Sequence, residues 1–329
     1  MKATKATTPR WAGSGIRFAG FGHCFGRMRI DNTGAEQVTT SAVEDQVIGE
    51  VGVRTRYRAE DDETLLDLAA AAGARALADA GIDPLEVDVV AMTNWTDRWC
   101  APEWGILLAS AVGADNAYGF DLNAGCAGFV FGVHTAAAQL AAPTGYRTAL
   151  VVSAERFTRR VRPGSKGELA VSDAAGAAVL RRGDPGAHGG SGLIDSVVHS
   201  TARYSDLSTV SPRTGWVKSK PELNEIAVDH VLRAVEELLD RNGLSADELD
   251  WVVPHSATEP FNAMFREKIG VGPDRILNNL AERGNVSSAS IPTTLSEYRA
   301  AGRLRPGELV VSPSIAGGGW MYAGLLYRI

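Results

Sequence analysis

One cysteine stands out as the residue best placed for covalent chemistry. Cys126 lies in the Ala- and Gly-rich segment Asp121–Phe129, between an apolar strand-like stretch and a helix-like one. A thiol at the N-terminus of a helix lies close to main-chain N–H groups and to the positive end of the helix dipole. Both favour the nucleophilic thiolate. A buried structural cysteine is the alternative, because free cysteine is among the most buried residue types. This segment alone leaves both interpretations open.

Two polar residues in the second half of the chain could serve such a nucleophile. His255 follows the strand-like Trp251–Pro254, and Asn285 follows the strand-like Arg275–Leu280. Ligands of open α/β sheets bind beyond the carboxyl ends of strands, so we expect these residues and Cys126 to converge on one cleft. Taken singly, the histidine could be a partly buried structural residue and the asparagine a turn residue.

The elements expected to position these residues occur in two similar halves. Apolar strand-like stretches alternate with amphipathic, Ala-rich stretches, which predicts a mostly parallel sheet covered on both faces. Gly81–Asp88 and Gly243–Asp250 occupy the same slot between a long helix and a short strand, which indicates an internal duplication. We therefore predict a disordered or extended lead-in over residues 1–14 and two halves spanning 15–183 and 184–329.

Composition excludes several functional classes. A net charge of −6 argues against a general nucleic-acid binder, and no apolar stretch is long enough to predict a membrane span. Three scattered cysteines without metal-ligand spacing predict neither a disulfide framework nor a metal site and favour a cytoplasmic location. Two basic clusters could form a local patch or simply solvated loops: Arg156, Arg159, Arg160, Arg162 and Lys166, and Arg213, Lys218 and Lys220.

Five motifs together resemble one enzyme family. Asn123–Phe129, Pro254–Thr258 and Gly284–Pro292 each look like a motif of the thiolase-fold condensing enzymes, in particular β-ketoacyl-acyl-carrier-protein synthase III. Ser172–Leu180 resembles the family's Gly-rich strand, and Ile315–Trp320 resembles its C-terminal Gly-rich turn. Five motif matches in the same order along the chain are a specific signal, whereas any one of them alone would be a weak one. The resemblance implies an α/β thiolase-like fold in which two duplicated halves form a five-layered α-β-α-β-α arrangement.

The resemblance also implies a set of catalytic roles. Cys126 would attack an acyl thioester and hold the acyl group covalently. His255 and Asn285 would donate hydrogen bonds to the carbonyl of a malonyl-type thioester while carbon dioxide leaves. The main-chain N–H groups of Cys126 and Gly318 would form the oxyanion hole. No metal or redox cofactor is expected, and the partners would be acyl and malonyl thioesters, an acyl carrier protein, and a second copy in a homodimer.

The substrate pocket departs from the family pattern. The segment Asn94–Trp104 holds three of the seven tryptophans and borders the family's acyl pocket. Gln46 stands where the family has a tryptophan that stacks on coenzyme A, and Glu50 replaces an arginine, which leaves the carrier open between coenzyme A and a carrier protein. The predicted substrate contacts are Trp95, Trp99, Phe129 and Thr258.

The leading hypothesis is decarboxylative condensation in polyketide or fatty-acid-like secondary metabolism. The main alternative is transfer of the acyl group from Cys126 to an alcohol or amine without carbon–carbon bond formation. A non-catalytic partner subunit would typically lose the nucleophile, which is present here. A cleaving thiolase would carry a second cysteine in the Gly-rich turn, and Ile315–Trp320 contains none.

Overall fold

The computed structural model describes residues 10–32, 51–97, 101–184, 190–317 and 320–329. Gln46, Glu50, Trp99 and Gly318 lie outside these ranges. The strands are β1 (Ile16–Phe25), β2 (Met28–Asp31), β3 (Thr55–Arg58), β4 (Val89–Thr93), β5 (Tyr118–Leu122), β6 (Thr148–Arg156), β7 (Asp173–Arg182), β8 (Gly192–Ser200), β9 (Ser208–Val210), β10 (Val217–Ser219), β11 (Trp251–Val252), β12 (Leu309–Ala316) and β13 (Met321–Arg328). The helices are α1 (Leu65–Ala80), α2 (Trp104–Val112), α3 (Gly128–Ala141), α4 (Lys166–Ala170), α5 (Leu223–Asn242), α6 (Glu259–Lys268), α7 (Leu280–Arg283) and α8 (Ser290–Ala300).

Both large sheets are mixed, so the prediction of a mostly parallel sheet is wrong. The first has the order β1-β7-β6-β4-β5, with β4 parallel to β5 and β6, and β7 antiparallel to β6 and β1. The second has the order β11-β12-β13-β8, with only β11 and β12 parallel. Parallel neighbours need a long crossover, whereas β12 and β13 are joined by residues 317–320 alone.

The two sheets repeat one pairing pattern. Each runs from an antiparallel edge strand (β1 or β8) through an antiparallel neighbour (β7 or β13) to parallel strands. In the place of β5, the second half has a single parallel bridge between Val252 and Ile276. The predicted strand over Arg275–Leu280 is therefore wrong, since a 3₁₀ turn ends at Arg275, α7 begins at Leu280, and Ile276 makes only the isolated bridge.

Alternating side chains of the strands build a five-layered α-β-α-β-α arrangement. In the first sheet Val89 and Val151 face inward onto α3 and α8, while Val90 and Val152 face outward onto α1 and α2. Strand β12 of the second sheet also alternates. Val310 packs in the central core, whereas Leu309 and Val311 pack against the layer formed by α5 and α6. Helices α3 and α8 therefore lie side by side between the sheets, and the site forms at their N-terminal ends.

Part of the predicted lead-in is packed. Trp11 is 7% exposed, and its indole Nε1 donates to Ser196 Oγ at 2.7 Å. Its main-chain N–H donates to the Ile194 carbonyl. For residues 10–14 the expectation of a disordered or extended segment is wrong, because a large indole gains more by burial against the second half than by exposure.

The contact of α1 with β1 can be tested at Gly22. A Cβ at this position would overlap the main-chain oxygen of Ala72. We expect Gly22→Ala to lower the free energy of unfolding by about 1–3 kcal/mol, measured by denaturant titration, because a backbone that close cannot yield without shifting the helix. Gly167→Ala is the matched control, since its nearest side-chain atom would be at an ordinary 3.4 Å. Equal stability of the two variants would contradict this packing.

Candidate active site

The site is built on two equivalent turns, one at the start of each central helix. In the first, Asn123 Oδ1 accepts from the N–H of Gly125 at 3.2 Å, and a 3₁₀ turn leads into α3. In the second, Asn285 Oδ1 accepts from the N–H of Ser287 at 2.8 Å, and a 3₁₀ turn leads into α8. Both turns need a left-handed residue, with φ of 54° at Gly125 and 53° at Ser287. Cys126 therefore corresponds to Ser288 in the other half.

The Cys126 sulfur is held by residues from other elements. Ser287 Oγ donates to Sγ at 3.1 Å, and the Trp95 indole Nε1 donates to Ser287 Oγ at 2.8 Å. Ser314 Oγ, on β12, donates to the Cys126 carbonyl at 3.1 Å. Ser287 is fully buried, and it is the one non-glycine residue with positive φ in the described ranges. Because that conformation costs about 1–2 kcal/mol for an L-residue, the contact with sulfur is maintained against backbone strain.

The resting thiol is protonated at neutral pH. Cys126 keeps some exposure because it opens onto internal space, but it lies deep in the protein, and burial raises its pKa to about 12. The Ser287 hydroxyl opposes this shift, whereas the charge of Glu155 adds to it. The expectation that the helix start favours a resting thiolate is therefore wrong. Desolvation outweighs the local N–H groups.

His255 and Asn285 are both fixed by hydrogen bonds to their own surroundings. His255 follows β11 and is 3% exposed, and its Nδ1 lies 2.8 Å from Ser290 Oγ on α8. Burial lowers the pKa of His255 to about 4, with main-chain hydrogen bonding at Ser287 opposing the shift, so the imidazole is neutral at pH 7. Asn285, 8% exposed, uses Oδ1 on the turn, which leaves its Nδ2 amide as the free donor.

A buried carboxyl that the motifs did not include ties the second turn to the segment that follows β4. Glu155 is at the end of β6 and accepts from Ser288 Oγ at 2.6 Å and from Thr96 Oγ1 at 2.7 Å. The main-chain N–H groups of Trp95 and Thr96 also donate to it. Burial raises the pKa of Glu155 to about 7, although these donors oppose the shift. A charged residue ending an otherwise apolar strand was the available sequence signal.

Two chambers meet at Cys126. The first, of about 520 Å³, is lined by His255, Asn285 and Thr258 as well as by the cysteine. The second, of about 470 Å³, lies toward Trp95 and Trp320. Five residues line both chambers: Cys126, Phe157, Ser208, Val217 and Gly317. The three predicted catalytic side chains thus share one chamber, and the nucleophile alone among them also faces the other.

The remaining predicted contacts divide between site and core. Trp95 lines the second chamber, and Thr258 lines the first while capping α6. Phe129 is 1% exposed, packs in the central core and lines neither chamber, so its predicted contact with substrate is not found. Trp99 and Gly318 lie outside the described residues, although Gly317, beside the predicted oxyanion donor, lines both chambers.

The basic clusters do not form one patch. Arg156 is buried and donates from Nε to Asp97 Oδ2 at 2.6 Å. Arg162 and Lys218 line the first chamber, and Arg160 lines the second. The described residues contain no helix long and apolar enough to cross a membrane and no group of side chains arranged to hold a metal.

The chain is similar in sequence and in fold to one family of known proteins. A model of 3-oxoacyl-[acyl-carrier-protein] synthase III matches residues 120–202, and the model of its C-terminal part matches residues 239–329. The β-ketoacyl-[acyl-carrier-protein] synthase III of Rhodospirillum rubrum is 34% identical over 94% of this chain and 98% of its own length. Similar crystal structures include the Pseudomonas aeruginosa 3-oxoacyl-(acyl carrier protein) synthase III, which is 28% identical with a TM-score of 0.87 and covers 95% of this chain and 98% of its own. The priming β-ketosynthase of the R1128 polyketide pathway has the same identity and TM-score and covers 98% of both chains.

Ser287→Ala tests the hydrogen bond to sulfur. We expect iodoacetamide to alkylate Cys126 about tenfold more slowly at pH 8, because a hydrogen bond to a charged group contributes about 1.5–3 kcal/mol. Peptide mass spectrometry reports the rate at Cys126 separately from the other cysteines. Ser314→Ala is the control, since that hydroxyl donates to the carbonyl of Cys126 and not to its sulfur. Equal alkylation rates in wild type and Ser287→Ala would contradict the assigned contact.

Glu155→Gln tests the buried carboxyl through the pH dependence of stability. The pKa of Glu155 is raised from 4.5 to about 7 by burial, so its contribution to stability is present below about pH 4.5 and is lost as pH rises to about 7. Glu155→Gln has no carboxyl at this position, so its stability does not fall for this reason as the pH rises. The free energy of unfolding of Glu155→Gln, relative to wild type, should therefore rise by up to about 1.4 kcal/mol per pH unit across that window. A difference that stays constant with pH, in denaturant titrations, would show that the carboxyl is not perturbed.

Proposed function

Because the chain belongs to the 3-oxoacyl-[acyl-carrier-protein] synthase III family, whose members are acyltransferase-type enzymes, we propose that it is a condensing ketosynthase acting through Cys126. One observation carries the proposal. Cys126, the neutral His255 and the free amide of Asn285 line a single chamber. A nucleophile beside two neutral donors suits acyl transfer followed by stabilisation of an enolate.

The first step is acylation of Cys126. Its sulfur attacks the carbonyl carbon of an acyl thioester, the carbon–sulfur bond to the carrier breaks, and the carrier thiol leaves with the proton of the cysteine. The Ser287 hydroxyl supports the charge on sulfur as the thiol ionises. The main-chain N–H of Cys126 and one from the Gly-rich turn near Gly317 would receive the oxyanion.

The second step is decarboxylation of a malonyl-type thioester in the first chamber. Carbon dioxide leaves, and the electron pair of the broken carbon–carbon bond forms an enolate whose oxygen accepts from Asn285 Nδ2 and His255. We assign the donor role in the 2.8 Å contact between Ser290 Oγ and His255 Nδ1 to the hydroxyl, which places the hydrogen of the neutral imidazole on Nε2. The enolate carbon then attacks the acyl carbonyl on Cys126. The bond between the acyl carbon and the Cys126 sulfur breaks, and the β-ketoacyl thioester leaves. The sulfur departs as a thiolate and takes up a proton from water, which restores the resting thiol.

The relatives support a proposal for the pathway. Those named above are a fatty-acid-type synthase III and a priming ketosynthase of a polyketide pathway. We place this chain in fatty-acid-like or polyketide biosynthesis, working on acyl and malonyl thioesters without a metal or redox cofactor, as a cytoplasmic homodimer. Arg162 and Lys218 in the first chamber are suited to the phosphate of either coenzyme A or a carrier-protein arm.

Intact-protein mass spectrometry separates this function from its alternative. Cys126 is first loaded from a panel of acyl thioesters, and the acyl-enzyme is then mixed with a malonyl thioester. Release of carbon dioxide together with a β-keto product supports condensation. Transfer of the acyl group to an alcohol or amine, with the malonyl thioester left intact, would overturn it. Cys126→Ala should remove the mass shift under either outcome.

Asn285→Asp tests the donor role of the amide. The substitution keeps an Oδ acceptor for the Ser287 N–H but replaces the Nδ2 donor with a negative oxygen, where enolate charge develops. We expect condensation to fall about 100- to 1000-fold, as when an oxyanion donor is lost, while acylation of Cys126 changes little. The two rates are read by product formation and by mass shift. A parallel loss of both would show that Asn285 acts only by shaping the turn.

A further inference from the structure

The second chamber is the space available to an acyl tail on Cys126. It reaches Cys126 but contains neither His255 nor Asn285, which line the first chamber only. During condensation the malonyl thioester must occupy the space beside those two donors. The tail of an acyl group already bound to Cys126 must then point elsewhere, and the second chamber is the space that opens onto the same sulfur.

One side chain gives this chamber a positive charge. Arg160 lines it, and its Nε donates to the main-chain oxygen of Thr96. Nη1 lies near the backbone of the β9–β10 hairpin, where a Cβ on Gly215 would be 3.1 Å away. Within the described ranges Arg160 makes no ion pair, and no aspartate or glutamate is among the residues lining the chamber. The guanidinium charge is therefore left for a ligand.

Two further donors face the same space. Trp320 Nε1 is buried and has no hydrogen-bond partner among the described residues. It lies directly over Gly317, which leaves no room for a side chain there. Asn123 uses Oδ1 on the N–H of Gly125, so its Nδ2 remains available as a donor. A buried donor without a partner costs about 1–3 kcal/mol, which a ligand acceptor would recover.

We propose that the second chamber receives an acyl group with a terminal carboxylate, bound by Arg160. The proposal rests on the function proposed above and deepens it by naming the acyl donor as a short ω-carboxyacyl thioester. An anion matches a guanidinium that has no partner carboxylate, and a planar carboxylate can accept two N–H donors at once. A wholly apolar tail would leave the guanidinium charge of Arg160 without a counter-ion and would offer no acceptor to Trp320 Nε1 or Asn123 Nδ2. The carboxylate is not consumed, so the bonds made and broken are those already described.

Acylation of Cys126 by a matched set of thioesters tests the proposal. Succinyl, its uncharged isostere succinamoyl, and butyryl N-acetylcysteamine thioesters have acyl groups of the same carbon-chain length and need no carrier recognition. Intact-protein mass spectrometry gives the acylation rate for each. We expect wild type to prefer succinyl over both uncharged groups by about tenfold or more, the range of a charge-assisted hydrogen bond. This comparison needs no variant.

Arg160→Gln should reduce the ratio of the succinyl to the butyryl rate by about tenfold or more, and Arg160→Lys should retain part of it. Arg159→Gln is the matched control, because Arg159 is adjacent, exposed and lines neither chamber. Wild-type preference for butyryl, or a ratio unaffected in Arg160→Gln, would overturn the proposal while leaving Cys126 acylation intact. Failure of every thioester to acylate Cys126 would instead refute the proposed function itself, and this inference with it.

Discussion

The hydrogen bond that an asparagine Oδ1 accepts from the main-chain N–H two residues later is the constraint on which the site depends. It occurs twice, at Asn123 and at Asn285, and each time it forces the chain into a left-handed step before a central helix. Because both helices lie between the sheets, their openings meet in the buried centre of the molecule. Cys126 is thereby presented to the second half, and the amide of Asn285 has only its donor end free. Cys126 and Asn285 are thus positioned by the same kind of local hydrogen bond.

The two equivalent turns, at Asn123 and at Asn285, differ in what their residues contact. On the first, Gly125 makes the left-handed step without strain, and the next residue is the nucleophile. On the second, Ser287 makes the same step at a cost, and its hydroxyl contacts the sulfur of the partner turn. The residue that corresponds to Cys126 is Ser288, which donates to the buried Glu155. One half therefore carries the reactive atom, and the other carries the groups that hold and polarise it.

Burial keeps the two side chains at the centre of the site uncharged at neutral pH. Cys126 is a thiol and His255 is a neutral imidazole, while the Glu155 carboxyl accepts hydrogen bonds from the hydroxyls of Thr96 and Ser288. Neutral donors stabilise a developing enolate without first attracting a counter-ion or tightly bound water. The unpaired cation Arg160 lies on the wall of the second chamber, away from the two donors of the enolate. Under the proposed function, this separation would give acyl recognition and carbon–carbon bond formation different electrostatic surroundings.

The sequence by itself determined the family, the duplicated α/β layout, the positions of most helices and strands, and the trio of Cys126, His255 and Asn285. These depend on local patterning and on ordered motifs, which a linear chain displays directly. Only the tertiary structure decided the mixed sheets, the core position of Phe129, and the roles of Ser287, Glu155 and Arg160. Ser287 touches a sulfur 161 positions away, and Glu155 receives a hydroxyl from 133 positions away. The protonation state of Cys126 also followed from burial. Desolvation depends on everything packed around a group and has no sequence pattern of its own.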